Sequence, residues 1–224
     1  MSPTPPSEPN GTPRSPADRF APFPAKAVQK GEERSLEFRT RLSSLDRDAM
    51  SRFYELFAGR VYHFVRRMLG EDHLAEDVTQ DIFIHMQKSL PSYDPARELS
   101  PWVFTIATNK VRDFWRSRRH SDLQHEQTLE PASAAEELAT LRGAPLPVLE
   151  REEQGRILSQ AIEALPEGLK ITVLLRLFEG LSFESIASIL ERNEDAIRKR
   201  YSRALAELRR SLDKLLRVEE GGLA

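Results

Sequence analysis

The sequence contains no cysteine among its 224 residues, which excludes disulfide-stapled folds, thiolate zinc sites and cysteine nucleophiles. Glycine is scarce, with 10 residues, and this argues against β-sandwiches and barrels, because those folds need a turn about every 8–12 residues. No apolar run approaches the roughly 18 residues of a membrane span, so no membrane insertion is expected. The N-terminus has no apolar stretch behind a basic start, and we therefore expect no secretory signal and a cytoplasmic protein.

Motifs that carry catalysis are also missing. The sequence has neither GxGxxG nor GxxxxGK[ST], and its five histidines show no HExxH spacing. Adjacent carboxylates such as Glu76 and Asp77 would point about 100° apart on a helix and would not converge. We therefore expect a protein that is not an enzyme and that uses no metal or other cofactor.

Neither sign of charge dominates, since 33 basic and 35 acidic residues give a formal net charge of −2. The basic residues are nevertheless concentrated in two places. Residues 110–119 hold five bases against one acid, and residues 192–210 hold seven bases against three acids. Basic stretches on helices with an apolar opposite face are typical of surfaces that bind nucleic acid phosphates. One such stretch is equally compatible with a solvated helix face, but two favour DNA.

The chain divides into segments of different composition. Eight of the fifteen prolines lie within residues 1–24, so residues 1–35 are expected to form a disordered proline-rich extension. Helical spacing of apolar residues then predicts a first domain over 36–119. Residues 120–152 are acidic and interrupted by proline, which predicts a flexible linker with a short helix at 134–142. A second helical domain is expected over 153–217 and a short tail over 218–224, so the predicted fold class is all-α, with two small domains.

Apolar residues that recur at three and four positions also predict the individual helices. In the first domain one helix runs from about Leu45 to a C-terminal cap at Gly70, a second has Asp72 as its N-cap, and a third begins near Pro101. In the second domain a helix ends at Pro166, and three more follow over Leu169–Phe178, Ser182–Leu190 and Glu194–Leu216.

The last two predicted helices have the pattern of a helix-turn-helix. GLSFESIASIL supplies the first helix, Glu191–Asn193 forms a short polar turn, and Asn193 is a good N-cap for the second helix. Early residues of the second helix of such a unit reach base edges in the major groove, where arginine can make paired hydrogen bonds to guanine. The candidate DNA-reading residues are Arg198, Lys199, Arg200 and Arg203.

Two strings resemble a known family. LGEDHLAEDVTQDIFIHM, followed by SPWVFTIATNKVRDFWRSRR, is similar to region 2 of the sigma-70 family of bacterial RNA polymerase sigma factors. ALPEGLKITVLLRLFEGLSFESIASIL, followed by AIRKRYSRALAELR, is similar to region 4. The order of the strings and the acidic stretch between them resemble the small extracytoplasmic-function (ECF) group. The resemblance implies a stress-responsive promoter-specificity subunit, which binds core polymerase and directs transcription initiation.

The resemblance also implies partners and site residues. The second helix of region 2 would dock on the β′ coiled coil of polymerase, and region 4 would contact the β flap. A dedicated anti-sigma factor is a further candidate partner. The positions that match the polymerase-binding helix are Asp77, Gln80, Asp81 and Phe83.

Promoter DNA would be bound by both domains. The resemblance implies that the third helix of region 2 and the preceding loop bind the −10 element as single-stranded DNA, with Tyr93 available for stacking on a base. Trp102, Phe114 and Trp115 are expected to lie mainly in the core. Region 4 would read the −35 element as duplex through Arg198, Lys199, Arg200 and Arg203. The −10 candidates on the third helix are Asn109, Lys110, Arg112, Asp113 and Arg116.

The sequence departs from the family pattern in the helix-turn-helix. Glu191 stands where the family usually has glycine, so either glutamate is held at positive φ at a cost of about 1 kcal/mol or the turn has another shape. Ser182 and Ser185 replace a serine–glutamate pair, which removes the capping box. Two other functions stay open: a stand-alone helix-turn-helix regulator, and a degenerate sigma-like interaction protein.

Overall fold

A computed structural model describes residues 31–122 and 146–221, with side chains for 31–118 and 155–215. Most of the predicted N-terminal extension and linker, with the predicted helix at 134–142 and the end of the tail, lies outside these ranges. Helices make up most of the described residues, as predicted, and none of these residues forms a strand. Nor do they include a helix that is long and apolar enough to cross a membrane.

The helices form two modules. The first module contains α1 (Leu36–Ser43), α2 (Arg47–Leu69), α3 (Asp72–Ser89), a 3₁₀ turn (Leu90–Ser92) and α4 (Leu99–Asp122). The second module contains α5 (Leu146–Glu163), α6 (Glu167–Val173), a π-helical turn (Leu174–Phe178), α7 (Phe183–Leu190) and α8 (Glu194–Gly221).

Helix α2 is the centre of the first module, and side-chain and backbone caps define its ends. The Asp46 carboxylate accepts a hydrogen bond from the Ala49 amide at 3.0 Å. That bond, helped by Arg41, holds the pKa of Asp46 below its ordinary value. At the other end Gly70 adopts φ 85°, and its amide donates to the Arg66 carbonyl at 2.9 Å. Gly70 therefore ends the helix as predicted, because glycine enters the left-handed region without a Cβ penalty.

Aromatic rings fill much of the first module's core. The Phe53 and Phe57 rings lie 5.1 Å apart on α2, and Phe64 meets Phe104 of α4 edge-on at 5.5 Å. All four side chains are 2% exposed or less. Complete burial of such a ring contributes about 1.5–3 kcal/mol, so these contacts fix how α2 and α4 pack.

The first module departs from the predictions in two details, at α1 and at the start of α3. Helix α1 was not predicted, because only Phe38 and Leu42 of its eight residues are buried. Asp72 is the first residue of α3 rather than its N-cap; the N-cap is Glu71, which makes no side-chain capping bond. Helix α4 begins at Leu99, so Pro101 lies in its first turn as predicted, where its missing N–H needs no partner.

The second module changes helical pitch within a stretch that the sequence predicts as one helix. Helix α6 passes at Val173 into the π-helical turn, where the Glu179 amide donates to the Leu174 carbonyl at 3.3 Å. Gly180 follows at φ 67°. A π turn spaces hydrogen bonds five residues apart and so shifts the direction of the side chains after it. The predicted helix therefore ends at Phe178 as expected, but its second half is π-helical rather than α-helical.

The helix-turn-helix keeps its shape without glycine. Glu191 lies at φ 52° and ψ 50°, the Arg192 amide donates to the Ala187 carbonyl at 2.9 Å, and the Glu191 amide donates to Ser188 at 3.3 Å. This is a Schellman motif, so glutamate carries the cost of about 1 kcal/mol at a left-handed position. Asn193 Oδ1 accepts from the Ala196 amide at 2.7 Å and caps α8 as predicted.

The two modules pack against each other. Helix α4 contacts α7, and α2 contacts both α5 and α6. The buried apolar residues of the two modules form one contiguous cluster. This packing brings the two basic helices into a single body, an arrangement that the sequence did not specify.

Candidate nucleic-acid and partner interfaces

The predicted polymerase-binding residues lie on the outer side of α3. Asp77, Gln80 and Asp81 are exposed. The opposite side of the helix carries Val78 and Ile82, which are buried in the core. The structure therefore brings two carboxylates and an amide together on one accessible strip, which a basic surface would complement.

Phe83 extends this strip with an apolar patch. Its ring is half-buried and packs against Tyr54 at 4.8 Å and Phe53 at 6.0 Å. Tyr54 and Ile84 are each 51% exposed, and sequence reasoning missed both. Their signal was weak, since Ile84 falls outside the spacing of the core residues of α3. Exposed apolar side chains beside a charged strip are typical of a binding surface.

The predicted −10 residues lie along the second half of α4. Asn109, Asp113 and Arg116 are exposed, whereas Lys110 and Arg112 are half-buried. Asp113 forms an ion pair with Arg116 at 3.2 Å. Asp113 thus orients the Arg116 side chain and lowers the net positive charge of this side of α4.

The aromatic residues near α4 belong to the core more than to an open surface. Tyr93 is 4% exposed, its hydroxyl donates to the Arg97 carbonyl at 2.6 Å, and its ring packs on Trp102 at 4.9 Å. Burial raises the pKa of the Tyr93 hydroxyl. The prediction that Tyr93 is available for stacking on a base is therefore wrong for this arrangement. Trp102, Phe114 and Trp115 are half-buried and pack against the core, in line with their prediction.

The four predicted −35 residues of α8 have different surroundings. Lys199 and Arg203 are exposed, on the side opposite the buried Ile197 and Ala204. Arg200 is half-buried, and its Nη1 lies 3.8 Å from the position that a Cβ on Gly168 would occupy. Lys199 and Arg203 therefore point outward, whereas Arg200 lies on the flank next to α6.

Arg198 is held by other residues of the second module. Its guanidinium pairs with Glu194 and lies over the Phe183 ring, 4.7 Å from the centroid. Arg176 covers the same ring at 4.6 Å, and Tyr201 meets its edge at 5.4 Å. Cation–π contacts of this kind contribute about 0.5–1 kcal/mol at exposed sites. Sequence reasoning did not find this stack, because it depends on the fold of α7 against α8.

No three metal-ligating side chains converge in the part of the chain that the structure describes. The candidate binding surfaces are instead the exposed strip on α3 and the basic sides of α4 and α8. These surfaces can form ion pairs, hydrogen bonds and apolar contacts with a macromolecular partner.

Comparison with known proteins identifies two family regions in the chain. Residues 53–121 match the family Sigma-70 region 2, and residues 155–208 match Sigma-70, region 4. The RNA polymerase sigma factor CarQ of Myxococcus xanthus is 34% identical over 170 residues, which cover 75% of this chain and 91% of that protein. The ECF RNA polymerase sigma factor SigW of Bacillus subtilis is 27% identical over 170 residues, or 75% of this chain and 90% of that protein.

Two solved structures share the fold. The chain aligns with sigma factor RpoE of Bartonella quintana, solved with the anti-sigma factor NepR, at a TM-score of 0.61 and 20% identity, covering 73% of this chain and 96% of that one. It aligns with CnrH, solved with the cytosolic domain of CnrY, at a TM-score of 0.58 and 22% identity, covering 81% and 98%.

Proposed function

Because the chain belongs to the sigma-70 family of RNA polymerase sigma factors, in its ECF group, we propose that it directs transcription initiation as a promoter-specificity subunit. The observation that carries this function is the presence of both family regions, in order, over residues 53–121 and 155–208. Its partners are core RNA polymerase and promoter DNA. We further propose that it acts in the cytoplasm and contributes binding rather than catalysis.

The α3 strip is the proposed contact with the β′ coiled coil. Asp77, Gln80 and Asp81 supply exposed acceptors, and the adjoining Phe83 and Tyr54 supply apolar area. Charged groups steer and orient association, while buried apolar anchors contribute most of the affinity. The second module is proposed to contact the β flap. An anti-sigma factor is a further proposed partner.

The two basic helices are the proposed DNA-binding elements. On α8, exposed Lys199 and Arg203 are proposed to contact the −35 duplex. Arg198, which other residues of the second module hold in place, and Arg200, on the side of α8 next to α6, are proposed to contact the same duplex. On α4, Asn109, Lys110, Arg112, Asp113 and Arg116 are proposed to bind the −10 strand. Basic side chains that contact phosphates give affinity without reading the sequence. Paired hydrogen bonds from arginine to the edges of DNA bases discriminate between sequences, by about 1–3 kcal/mol each.

Run-off transcription tests the function directly. Purified core polymerase would transcribe genomic fragments with and without the protein, and RNA 5′ ends would be mapped. New start sites that share −35 and −10 sequences are expected. Core binding without new starts would contradict the proposal and favour a degenerate interaction protein. Tight duplex binding without any core binding would favour a stand-alone regulator.

Variants separate the two kinds of surface. Asp77→Arg should weaken core binding, whereas Gln87→Ala, an exposed change on the same helix, should not. Lys199→Ala should reduce transcription from the mapped promoters without loss of core binding, and Lys214→Ala at an exposed position further along α8 is its control. Equal loss of core binding and transcription in the Lys199 variant would contradict its assignment to DNA.

A further inference from the structure

An ion network centred on Arg60 of α2 joins the two modules. Its Nη1 donates to the Glu33 carboxylate at 2.6 Å and its Nε donates to the Glu179 carboxylate at 2.9 Å. Nη2 donates to the Ser100 hydroxyl at 3.0 Å, which in turn donates to Glu33 at 3.1 Å. Glu33 precedes α1, Ser100 lies in the first turn of α4, and Glu179 belongs to the second module. One guanidinium therefore connects three separate parts of the chain.

The network is shielded from water. Glu33 is 7% exposed and Glu179 is 8% exposed. The Arg60 guanidinium lies over the Phe57 ring at 4.6 Å and near the Phe104 ring at 5.6 Å. Charges in such surroundings are stable only when they are paired with good geometry. Separation of the modules would remove Glu179 from Arg60 and expose both groups to water.

In further contacts between the modules, basic side chains again belong to α2 and their partners to the second module. The Arg67 guanidinium of α2 lies over Phe178 at 4.3 Å, and Arg66 lies 3.9 Å from the Glu163 carboxylate of α5. Burial lowers the pKa of Arg67, although the charges of Glu179 and Glu163 act in the opposite direction. Phe178 is the last residue of the π-helical turn and Glu179 is its C-cap, so the end of this turn lies at the contact. A basic side of α2 thus meets an acidic side of the second module.

The promoter cannot be read while this contact persists. The −35 and −10 elements lie about 25 base pairs apart, and at 3.4 Å per base pair this is on the order of 80 Å. A compact body of the size of the described residues, 31–122 and 146–221, has a radius of gyration of about 15 Å. The packed modules are therefore too close together to reach both elements at once.

We propose that Arg60, with Glu33 and Glu179, is an intramolecular latch that holds the modules together in the free protein and opens when the promoter is bound. The role in promoter binding rests on the proposed function, but the latch itself does not. The latch also assigns a role to the segment before α1, because Glu33 in that segment holds the Arg60 guanidinium that pairs with Glu179.

Fluorescence energy transfer on the full chain tests the latch. The natural sequence has no cysteine, so Gln87→Cys and Asp213→Cys, both at exposed positions, allow dyes to be placed on one module each. Single-molecule transfer should show mainly the joined state in the otherwise unchanged protein. Glu179→Gln, which keeps the shape but removes the charge, should raise the ratio of separated to joined molecules roughly tenfold. Arg60→Lys, which loses the fork of donors, should give an intermediate ratio.

Glu207→Gln is the matched control, because it breaks an exposed ion pair with Arg210 inside α8, at 3.2 Å, and should leave the ratio unchanged. Circular dichroism would verify that the helices remain. An unchanged ratio in Glu179→Gln, or a separated state in the parent protein, would overturn the latch. Addition of core polymerase and promoter should produce the separated state; molecules that stay joined while transcribing would overturn the required opening. Absence of transcription with an intact latch would instead count against the proposed function.

Discussion

The two modules hold their shape by different means. The first module has long helices, a core rich in phenylalanine and a glycine at the end of α2. The second module has two short helices, α6 and α7, beside the long α8, a mainly aliphatic core with Leu174 and Ile186, a π-helical turn and a glutamate in the left-handed region. A small core contributes less stability. Because the buried apolar residues of both modules form one cluster, packing against the first module adds to the stability of the second.

The largest effect is expected in the aromatic core. Phe57→Ala removes a fully buried ring and should lower the free energy of unfolding by about 3–5 kcal/mol. Urea unfolding followed by circular dichroism measures this loss. Because the modules share one core, the second module should melt together with the first; a second module that retains its own transition at the original midpoint would contradict this contribution of the first module. Ile186→Val in α7 is the comparison, with an expected loss of about 0.5–1.5 kcal/mol.

A smaller effect is expected at the cap of α8. Asn193→Ala removes the acceptor for the Ala196 amide and should cost about 1 kcal/mol. Hydrogen exchange of the first-turn amides of α8 should accelerate accordingly. Ser202→Ala, an exposed change on the same helix, serves as the control and should leave those rates unaltered.

Two of the left-handed positions, Glu191 and Gly70, should respond in opposite directions. Glu191→Gly relieves the penalty of a side chain at φ 52° and should stabilise the protein by up to about 1 kcal/mol. Gly70→Ala introduces that penalty at φ 85° and should destabilise it by about 1 kcal/mol. Thermal unfolding of both variants checks the pair. A loss of stability in Glu191→Gly would show that the glutamate side chain makes a compensating contact.

The smallest effect is expected in the pH dependence of stability, where the N-cap Asp46 of the first module differs from the N-cap Asn193 of the second. The pKa of Asp46 is lowered in the folded chain by its hydrogen bond to Ala49, so its contribution is present above the ordinary carboxyl pKa and is lost as pH falls through the lowered value. Asn193 does not titrate. Asp46→Asn should therefore reduce the acid sensitivity of unfolding below about pH 4. Asp213→Asn, at an exposed position of α8, should leave that sensitivity unchanged.

The sequence predicted the features that depend on local pattern. The apolar spacing predicted α2, α3 and α4, and the turn residues predicted the caps at Gly70 and Asn193, because these structures form from neighbours in the chain. Helix α1 carried too few apolar residues to show a period. The π-helical turn could not be predicted, since its hydrogen-bond register depends on packing against other helices.

The candidate site was predictable to the same extent. Helical phase placed Asp77, Gln80 and Asp81 on one exposed side. It did not distinguish outward Lys199 from Arg200 on the flank, because the difference comes from the position of α6. Nor did any local pattern connect Arg60 with Glu179, since their contact depends on how the modules pack.

The position of Phe183 between Arg176 and Arg198 has a consequence for how promoter preference can evolve. The ring belongs to α7, yet it sets the orientation of an arginine on the helix proposed to read DNA. A substitution at Phe183 would redirect Arg198 while every residue of α8 stayed the same. Two descendants of this protein with identical recognition helices could therefore come to prefer different promoters, and their divergence would be recorded in a residue that need not touch DNA.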